Sequence, residues 1–138
     1  MLKQLSIFAE NTRGAMLRLM NCLHQYDINV LASVTNDSAE FGIVRLVVSD
    51  PKRAAEVLAD NGYQCRITDV IGVKMEDRPG GLESLLKVIH DSRININYLY
   101  GAFSRSDRHP VILLNTEDIQ ETESCLRSKG VDILNDLN

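Results

Sequence analysis

Apolar and polar positions along this chain follow two alternating spacings. Short apolar runs of four to eight residues recur, as strands require, and stretches with helical spacing stand between them. After the first run, apolar residues fall at i, i+3, i+4 and i+7, and the same spacing returns in the second half of the chain. The two sets are Met16, Leu19, Met20, Leu23 and Leu82, Leu85, Leu86, Ile89. Each predicts an amphipathic helix that directly follows a strand.

The complete pattern predicts the order β-α-β-β-α-β in each half. The first half has strands over 2–9, 28–34, 41–48 and 63–67, with helices over 15–26 and 52–60. The second has strands over 70–75, 94–104, 111–114 and 131–134, with helices over 81–91 and 117–129. Turns are predicted at 35–38 and 105–110, where small and polar residues cluster. Asp50-Pro51 predicts a capped helix start, and Gly62 and Gly130 predict left-handed helix ends.

The chain repeats itself at a fixed period. Gly14 and Gly80 stand 66 positions apart, and so do Ile28-Asn29-Val30 and Ile94-Asn95-Ile96. Gly62 and Gly130 stand 68 apart, which indicates a small insertion in the second copy. Two copies fill the chain, so the repeat is a duplicated unit and not a solenoid.

A β-α-β-β-α-β unit has one natural solution, a four-stranded antiparallel sheet with both helices on one face. The predicted fold class is therefore α+β, with two tandem ferredoxin-like units. We place the first domain at 1–68 and the second at 69–138, because only Thr68-Asp69 separates the adjoining strands. Units of about 70 residues are marginal alone and are expected to pack on each other.

Composition narrows the function. A net charge of −4 over 138 residues argues against a nucleic-acid partner. No apolar run approaches the ~20 residues that span a bilayer, and no signal-peptide pattern opens the sequence. Three widely spaced cysteines, Cys22, Cys65 and Cys125, indicate reduced structural thiols in a cytoplasmic protein. We therefore expect neither a nucleic-acid nor a membrane partner.

The ferredoxin-like fold serves many functions, and three can be tested against the residues. An RNA-recognition module needs stacking aromatics on its central strands and a basic surface, and neither is present. A heavy-metal module needs paired thiols in its first loop, where this chain has Asn11-Thr12-Arg13-Gly14. The sequence shows no nucleophile, base or metal constellation. We predict no enzyme, no metal and no cofactor.

The strand-to-helix turns are the candidate sites. The second reads Asp77-Arg78-Pro79-Gly80-Gly81-Leu82, and the first, Asn11-Thr12-Arg13-Gly14-Ala15, occupies the matching place. Free N–H groups and the positive dipole end of a helix can hold an anion, and glycine lets a ligand approach the backbone. The alternative is that each turn only joins a strand to a helix.

Strand, Asp-Arg-Pro-Gly-Gly-Leu, helix, Ile-Asn-Ile resembles the signature of ACT domains, which are small-molecule sensor modules. The resemblance covers essentially the whole chain as two tandem copies, like proteins of this type without a catalytic domain. The first copy departs from the pattern, because Arg13 stands where the second has Pro79. The resemblance implies domains that pair side by side. It also implies an amino acid bound between one domain's glycine loop and the other's second strand.

The residues predicted to bind the ligand follow from that resemblance. They are Asn11, Thr12, Arg13, Gly14, Ala15, Asn29, Val30, Asp77, Arg78, Pro79, Gly80, Gly81, Leu82, Asn95, Ile96 and Asn97. The loops would receive the carboxylate, and asparagine oxygens, Asp77 or backbone carbonyls the ammonium. The second loop is preferred because it keeps Pro79 and both glycines.

Several of these residues have simpler readings. Asn29 and Asn95 can satisfy local backbone groups, the arginines can be ordinary solvated charges, and Asp77 can cap the helix. His24 and His90 are expected to be polar residues at helix ends. Tyr98, Tyr100 and Phe103 are expected to pack on the sheet, although a tyrosine facing the ligand stays open.

Two function hypotheses remain. The first is a regulatory amino-acid sensor without activity of its own. The second is a regulatory or interaction subunit of an amino-acid biosynthetic enzyme such as acetolactate synthase. In both, unpaired strand edges and open sheet faces lead us to expect a homodimer.

Overall fold

In the computed structural model, which describes residues 1–36 and 41–138, the chain forms seven strands and four helices over the described residues. In chain order these are β1 (Leu2–Glu10), α1 (Ala15–Gln25), β2 (Val30–Asn36), β3 (Phe41–Val48), α2 (Pro51–Asp60), β4 (Gln64–Lys74), α3 (Gly81–Asp91), β5 (Ile96–Phe103), β6 (Pro110–Thr116), α4 (Ile119–Ser128) and β7 (Ile133–Leu134). The chain divides into two compact units. The N-terminal unit is Lys3–Thr68, and the C-terminal unit is Met1–Leu2 with Asp69–Asn138.

The N-terminal unit has its strands in the order β2-β3-β1-β4. Strand β3 pairs antiparallel with β1, Val44 opposite Ile7, and with β2, Leu46 opposite Ser33. Alternate residues of the strands and the inner stripes of α1 and α2 form one apolar core. Its fully buried side chains include Leu5, Ile7, Leu19, Leu46 and Leu58.

The C-terminal unit has the order β5-β6-β4, and β7 also pairs with β4. Val73 of β4 lies opposite Ile112 of β6 on one side and Ile133 of β7 on the other. The buried core again joins sheet and helices, with Ile71, Leu114 and Leu126 fully buried in it. Both units therefore have the antiparallel ferredoxin-like arrangement that the sequence predicts, and the fold class is confirmed.

The sequence repeat is present in backbone detail. Asp27 and Arg93, 66 positions apart, both have φ near +58° directly after the first helix of their copy. Asp50 and Asp118, 68 apart, each accept a hydrogen bond at 3.1 Å from the third residue of the following helix. The offset between equivalent residues of the two copies thus increases by two residues along the chain. The extra residues lie in the β5–β6 connection, because β2 and β5 keep the shorter offset and β3 and β6 the longer.

One predicted feature is wrong. The sequence predicts two strands joined through Thr68-Asp69, but β4 is a single strand of 11 residues that includes both. Their polar side chains suggested a connection, although threonine is a favourable strand residue and the backbone of both residues stays extended. The strands after α1 and α3 also begin later than predicted, so Asn29 and Asn95 precede β2 and β5. Within the predicted turn at 35–38, Asp37 and Ser38 lie outside the described residues.

Most predicted helix ends agree with the structure. Asp50 caps α2, Pro51 is its first residue, and Gly62 and Gly130 have φ of +86° and +77° after α2 and α4. His24 and His90 lie in the last turns of α1 and α3. Tyr100 is buried in the C-terminal unit, while the Phe103 ring is half-exposed with the Arg105 guanidinium 4.9 Å from its centroid.

Candidate ligand-binding site

Both strand-to-helix loops have the same backbone conformation. Gly14 and Gly80 are the N-cap residues of α1 and α3, with φ of +82° and +86°. An L-residue in this left-handed region costs roughly 1–2 kcal/mol, so glycine is the residue that suits both positions. Neither N-cap has a side-chain cap, so Asp77 does not cap α3, and that simpler reading is wrong.

Three backbone hydrogen bonds repeat between the loops at the 66-residue offset. In the second loop the N–H groups of Arg78, Gly81 and Ser84 donate to the carbonyls of Glu76, Arg78 and Gly80, at 3.0, 3.0 and 2.9 Å. In the first loop Thr12, Ala15 and Arg18 donate to Glu10, Thr12 and Gly14, at 2.9, 3.1 and 3.0 Å. The side chains differ, so the backbone and the positive-φ glycine specify this turn.

Gly81 is fixed by close packing. A Cβ at Gly81 would lie 2.4 Å from the carbonyl oxygen of Glu76, which is closer than any real contact of that kind. The first copy has Ala15 at this place, so its loop leaves room for a methyl group. The second glycine therefore lets the second loop close tightly on its helix.

The start of α3 offers groups that suit an anion. Among the described residues the N–H groups of Leu82 and Glu83, in the first turn, have no partner, as the geometry of a helix start requires. The Arg78 guanidinium donates to the Glu76 carboxylate and, at 3.2 Å, to the Pro79 carbonyl. It is therefore held beside the helix start, and about half of its side-chain surface stays exposed.

A cleft of about 510 Å³ lies against this loop in the C-terminal unit. Its charged and polar walls come from two elements, β4 and α3, and from three connections, β4–α3, β5–β6 and α4–β7. They are Lys74, Glu76, Arg78, Ser84, His109 and Asp132, while Val73, Leu85 and Val88 form an apolar part. Cleft volumes of about 300–1,000 Å³ are typical of small-molecule sites. Charges of both signs and an apolar wall are the features that a zwitterion with an apolar side chain requires.

Lys74, which lines the cleft, forms an ion pair with Asp107 of the β5–β6 connection. Lys74 Nζ lies 2.6 Å from Asp107 Oδ2, and the backbone N–H of His109 donates to Asp107 Oδ1 at 3.1 Å. The hydrogen bond from Lys74 contributes most, and that from the His109 N–H adds to it; together they hold the pKa of Asp107 well below its usual value. The bond to Asp107 likewise raises the pKa of Lys74. Both groups are therefore charged over the whole neutral range.

The predicted site residues fall into separate groups. Arg78 and Gly81 line the cleft just described, and Gly80 shapes its loop, while the side chains of Asp77, Pro79 and Leu82 are exposed beside it. In the N-terminal unit Asn11, Thr12, Gly14 and Ala15 line a cleft of about 280 Å³ at the start of α1, and the side chain of Arg13 is exposed.

The predicted strand residues lie elsewhere in each unit. Asn29 and Val30 line a cleft of about 430 Å³ near the end of α1, and Asn95 lines one of about 260 Å³ near the start of α4. Ile96, the first residue of β5, is half-buried. Asn95 and the second loop therefore do not share a cleft within the C-terminal unit. A ligand-binding site formed by a loop of one copy and a strand of the other stays a prediction.

Asn97 has a position that the sequence did not suggest. It is the extra residue of a β-bulge, because Ile96 pairs with Thr116 and Tyr98 with Asn115. Its amide donates to Asn115 Oδ1 at 2.9 Å, and Asn115 Nδ2 in turn donates to the Asp69 carbonyl at 3.1 Å. The bulge recurs at Leu31 in the first copy. Bulges of this kind re-aim a side chain, here an exposed amide.

Sequence reasoning missed Lys74, Ser84, His109 and Asp132 as parts of the cleft. Lys74 and Asp132 are adjacent in space, since the Lys74 N–H donates to the Asp132 carbonyl at 2.9 Å. The signal that could have found Asp132 is its place two residues after Gly130, where the first copy has Gln64 after Gly62. No sequence spacing relates His109 to the loop.

Three further observations concern the described part of the chain. Among the described residues no group of three or more His, Cys, Asp and Glu side chains is placed to hold a metal ion. No described helix is long and apolar enough to cross a membrane. Burial raises the pKa of the Cys22 and Cys65 thiols.

A tandem of ferredoxin-like units with a positive-φ glycine loop at the start of each first helix defines a regulatory ACT-type fold. The chain belongs to the ACT domain pair family, whose model matches residues 1–138. No curated protein matches by sequence.

Solved structures agree with this family. Protein BT0572 from Bacteroides thetaiotaomicron is 33% identical with a TM-score of 0.88, over 96% of this chain and 91% of that one. The ligand-free regulatory subunit of aspartate kinase from Thermus thermophilus is 14% identical with a TM-score of 0.64, over 93% and 90%. The regulatory subunit of aspartate kinase from Thermus flavus is 15% identical with a TM-score of 0.58, over 91% of this chain and 88% of that one. The last two show similarity of fold.

Proposed function

We propose that this chain is a regulatory amino-acid-binding protein with no catalytic activity of its own. The observation that carries the proposal is the cleft of about 510 Å³ against the second glycine loop, which presents charges of both signs and an apolar wall. The duplicated loop and the resemblance to regulatory subunits support the same assignment. We also expect the protein to act in the cytoplasm, as a homodimer and without a cofactor.

The cleft has a group for each part of a free amino acid. The Arg78 guanidinium and the first-turn N–H groups of α3 suit the carboxylate, because charge-assisted bonds and the helix dipole both favour an anion there. The carboxylates of Glu76 and Asp132 suit the ammonium. Val73, Leu85 and Val88 would contact the ligand's side chain, and together they favour an aliphatic one.

A second candidate is a regulatory subunit that acts on a separate catalytic chain. Apolar side chains on the outside of α1 and α3 favour it, since Leu17 is 67% exposed and Met16, Leu82 and Leu86 are each more than a third exposed. The aspartate kinase subunits that share this fold are regulatory parts of an enzyme by their descriptions. The two candidates are compatible if the bound amino acid controls the partner.

A thermal-shift screen of the purified protein against the twenty amino acids tests the first proposal. A ligand at about 100 times its Kd adds roughly 2.7 kcal/mol of stability. For a chain of this length each kcal/mol corresponds to about 3–4 °C, so the expected rise is about 8–11 °C. Calorimetric titration of the hits then gives the affinity, and no shift with any amino acid contradicts the proposal.

Charge-neutral variants locate the site. Arg78→Gln and Asp132→Asn are expected to weaken binding by about 10-fold or more, because each removes a charge-assisted hydrogen bond worth about 1.5–3 kcal/mol. Lys87→Gln and Asp91→Asn are matched controls, since both residues are exposed on α3 and line no cleft described here. Unchanged affinity in both site variants would refute this placement of the ligand.

The substitution Gly80→Val, which the glycine loop suggests as a way to block the ligand, is a less informative test. Any side chain at a φ of +86° strains the loop, so lost binding would not distinguish a blocked ligand from a distorted turn. The charge-neutral variants avoid this because they leave the loop backbone unchanged.

A further inference from the structure

The N-terminal unit contains a counterpart of the proposed amino-acid cleft. Its volume is about 540 Å³, and it lies between the end of β1, the start of α1 and the α2–β4 turn. Glu10 and Gly62 line it at the places that Glu76 and Gly130 occupy in the C-terminal cleft. The duplication has therefore given each unit a cleft at the same position.

The turn after the second helix of each copy places one side chain between the cleft and the core. The N–H groups of Tyr63 and Val131 donate to the carbonyls of Leu58 and Leu126, at 2.9 and 3.1 Å. Both side chains pack against the apolar core of their own unit, and both line its cleft. The two positions are therefore equivalent, and the first copy has a tyrosine ring where the second has the smaller valine.

The two clefts differ in the apolar walls beside this position. The C-terminal cleft reaches Val73, Leu85 and Val88, which belong to the core or pack against it. Their counterparts 66 positions earlier are buried in the N-terminal core, and they are not among the described walls of the N-terminal cleft. These counterparts are Ile7, Leu19 and Cys22. The first copy therefore lacks the apolar wall that would contact an aliphatic side chain.

The charged walls of the two clefts differ less. The N-terminal cleft keeps one carboxylate, Glu10, and one cation, Arg18, whose Nη2 lies 3.4 Å from Thr12 Oγ1 at the helix start. Gln64 stands where the C-terminal cleft has Asp132, so one acceptor for an ammonium group has lost its charge. These charges would weaken the binding of a zwitterion without excluding it, and the apolar wall is the larger difference.

We propose that Tyr63 fills the side-chain subsite of the first copy, so that each chain binds one aliphatic amino acid, in the C-terminal cleft. The inference rests on the proposed function and adds to it the residue that decides between the two copies. Protein interiors are close-packed, so a tyrosine ring against the core leaves no space there for a ligand's side chain. Burial of an aliphatic side chain raises affinity by about 10-fold or more, and the first copy loses this contribution.

The test is calorimetric titration of the full chain with L-valine, L-leucine and L-isoleucine. We expect saturable binding of at least one of them, with one molecule bound per chain. Val131→Tyr places the ring of the first copy in the C-terminal cleft and should weaken that binding by about 10-fold or more. Val131→Ala is the matched control, because it keeps the subsite open and should leave the stoichiometry at one.

The reverse exchange tests the first copy. Tyr63→Val combined with Gln64→Asp gives the N-terminal cleft the two wall residues of its counterpart, and the stoichiometry should rise to two molecules per chain. Tyr63→Phe combined with Gln64→Asp retains the ring and should leave it at one. Circular dichroism checks that each variant is folded, and if the first double variant does not fold, the result for Val131→Tyr decides.

Failure of this inference is distinguishable from failure of the amino-acid proposal. Two molecules per wild-type chain, unchanged affinity in Val131→Tyr, or one molecule per chain in the folded Tyr63→Val and Gln64→Asp variant would overturn the inference while amino-acid binding stands. Binding of another amino acid but of none of these three would also overturn it. If no amino acid binds the wild-type chain, the proposed function fails and this inference fails with it.

Discussion

The replacement Gly81→Ala gives a sharp test of how the second loop is held. An ideal Cβ at this position would lie 2.4 Å from the Glu76 carbonyl oxygen, whereas contacts of this kind are ordinary at 3.4–4 Å. The obstacle is backbone, so no side-chain rotation relieves it. The loop must move by about 1 Å, and that movement disturbs the bond from the Arg78 N–H to the same carbonyl, now 3.0 Å.

The magnitude follows from three terms. Overpacking costs about 1–3 kcal/mol, and a weakened hydrogen bond costs about 0.5–1.5 kcal/mol. Alanine is the better helix former by up to about 1 kcal/mol, which offsets part of the cost. The net loss is expected to be about 2 kcal/mol, or about 6–8 °C in Tm. Urea unfolding followed by circular dichroism measures it.

Two further glycines provide comparisons. Gly80→Ala adds strain at a φ of +86° but meets only the flexible end of Arg78 at 3.4 Å, so a cost of roughly 1–2 kcal/mol is expected. Gly101→Ala on β5 meets nothing within 4 Å and has an ordinary φ, so it should cost nothing. If Gly81→Ala were as stable as Gly101→Ala, the close packing of Gly81 against Glu76 would be refuted.

Three other predictions follow from the structure and the sequence. Asp107→Asn should lower stability at neutral pH, because the lowered pKa of Asp107 stabilises the fold fully above the ordinary carboxyl pKa of about 4, and the raised pKa of Lys74 does so below the ordinary amine pKa of about 10. Thermal melts from pH 2 to 11 should show the difference from wild type shrink below about pH 4 and above about pH 10, and a constant difference would contradict this. Asp50→Ala and Asp118→Ala should each cost about 1 kcal/mol in chemical unfolding, since each cap makes the same 3.1 Å bond, and no loss in either would argue against capping. Sedimentation should give a dimer mass at micromolar concentration, because β2 and β5 are the end strands of their units and end strands are open to pairing, and a monomer mass throughout that range would refute the prediction.

The helices and the duplication could be predicted because local chemistry determines them. Apolar spacing places α1 and α3, and Asp50, Gly62 and Gly130 specify ends through their own backbone preferences. The offset of 66 residues also holds for a feature that the sequence did not predict, the positive φ of Asp27 and Arg93. These features need no information from distant parts of the chain.

The cleft was only partly predictable because it is built from distant segments. Arg78 and Gly81 lie in a local motif, but His109 comes from the β5–β6 connection and Asp132 from the turn before β7. Their proximity depends on strand pairing. The bulge at Asn97 and the continuity of β4 have the same origin, because pairing partners and not local propensity decide them.

The uninterrupted course of β4 has a practical consequence for dividing the gene. Two complete copies of the repeat would have eight strands, and this chain has seven over its described residues, because β4 closes the first copy and opens the second. A cut after Thr68 would divide the hydrogen-bonded strand β4, and each fragment would end in only a part of that strand. Reporter insertions and split versions should therefore avoid the whole of Gln64–Lys74 and be placed in an exposed connection that carries no part of the cleft.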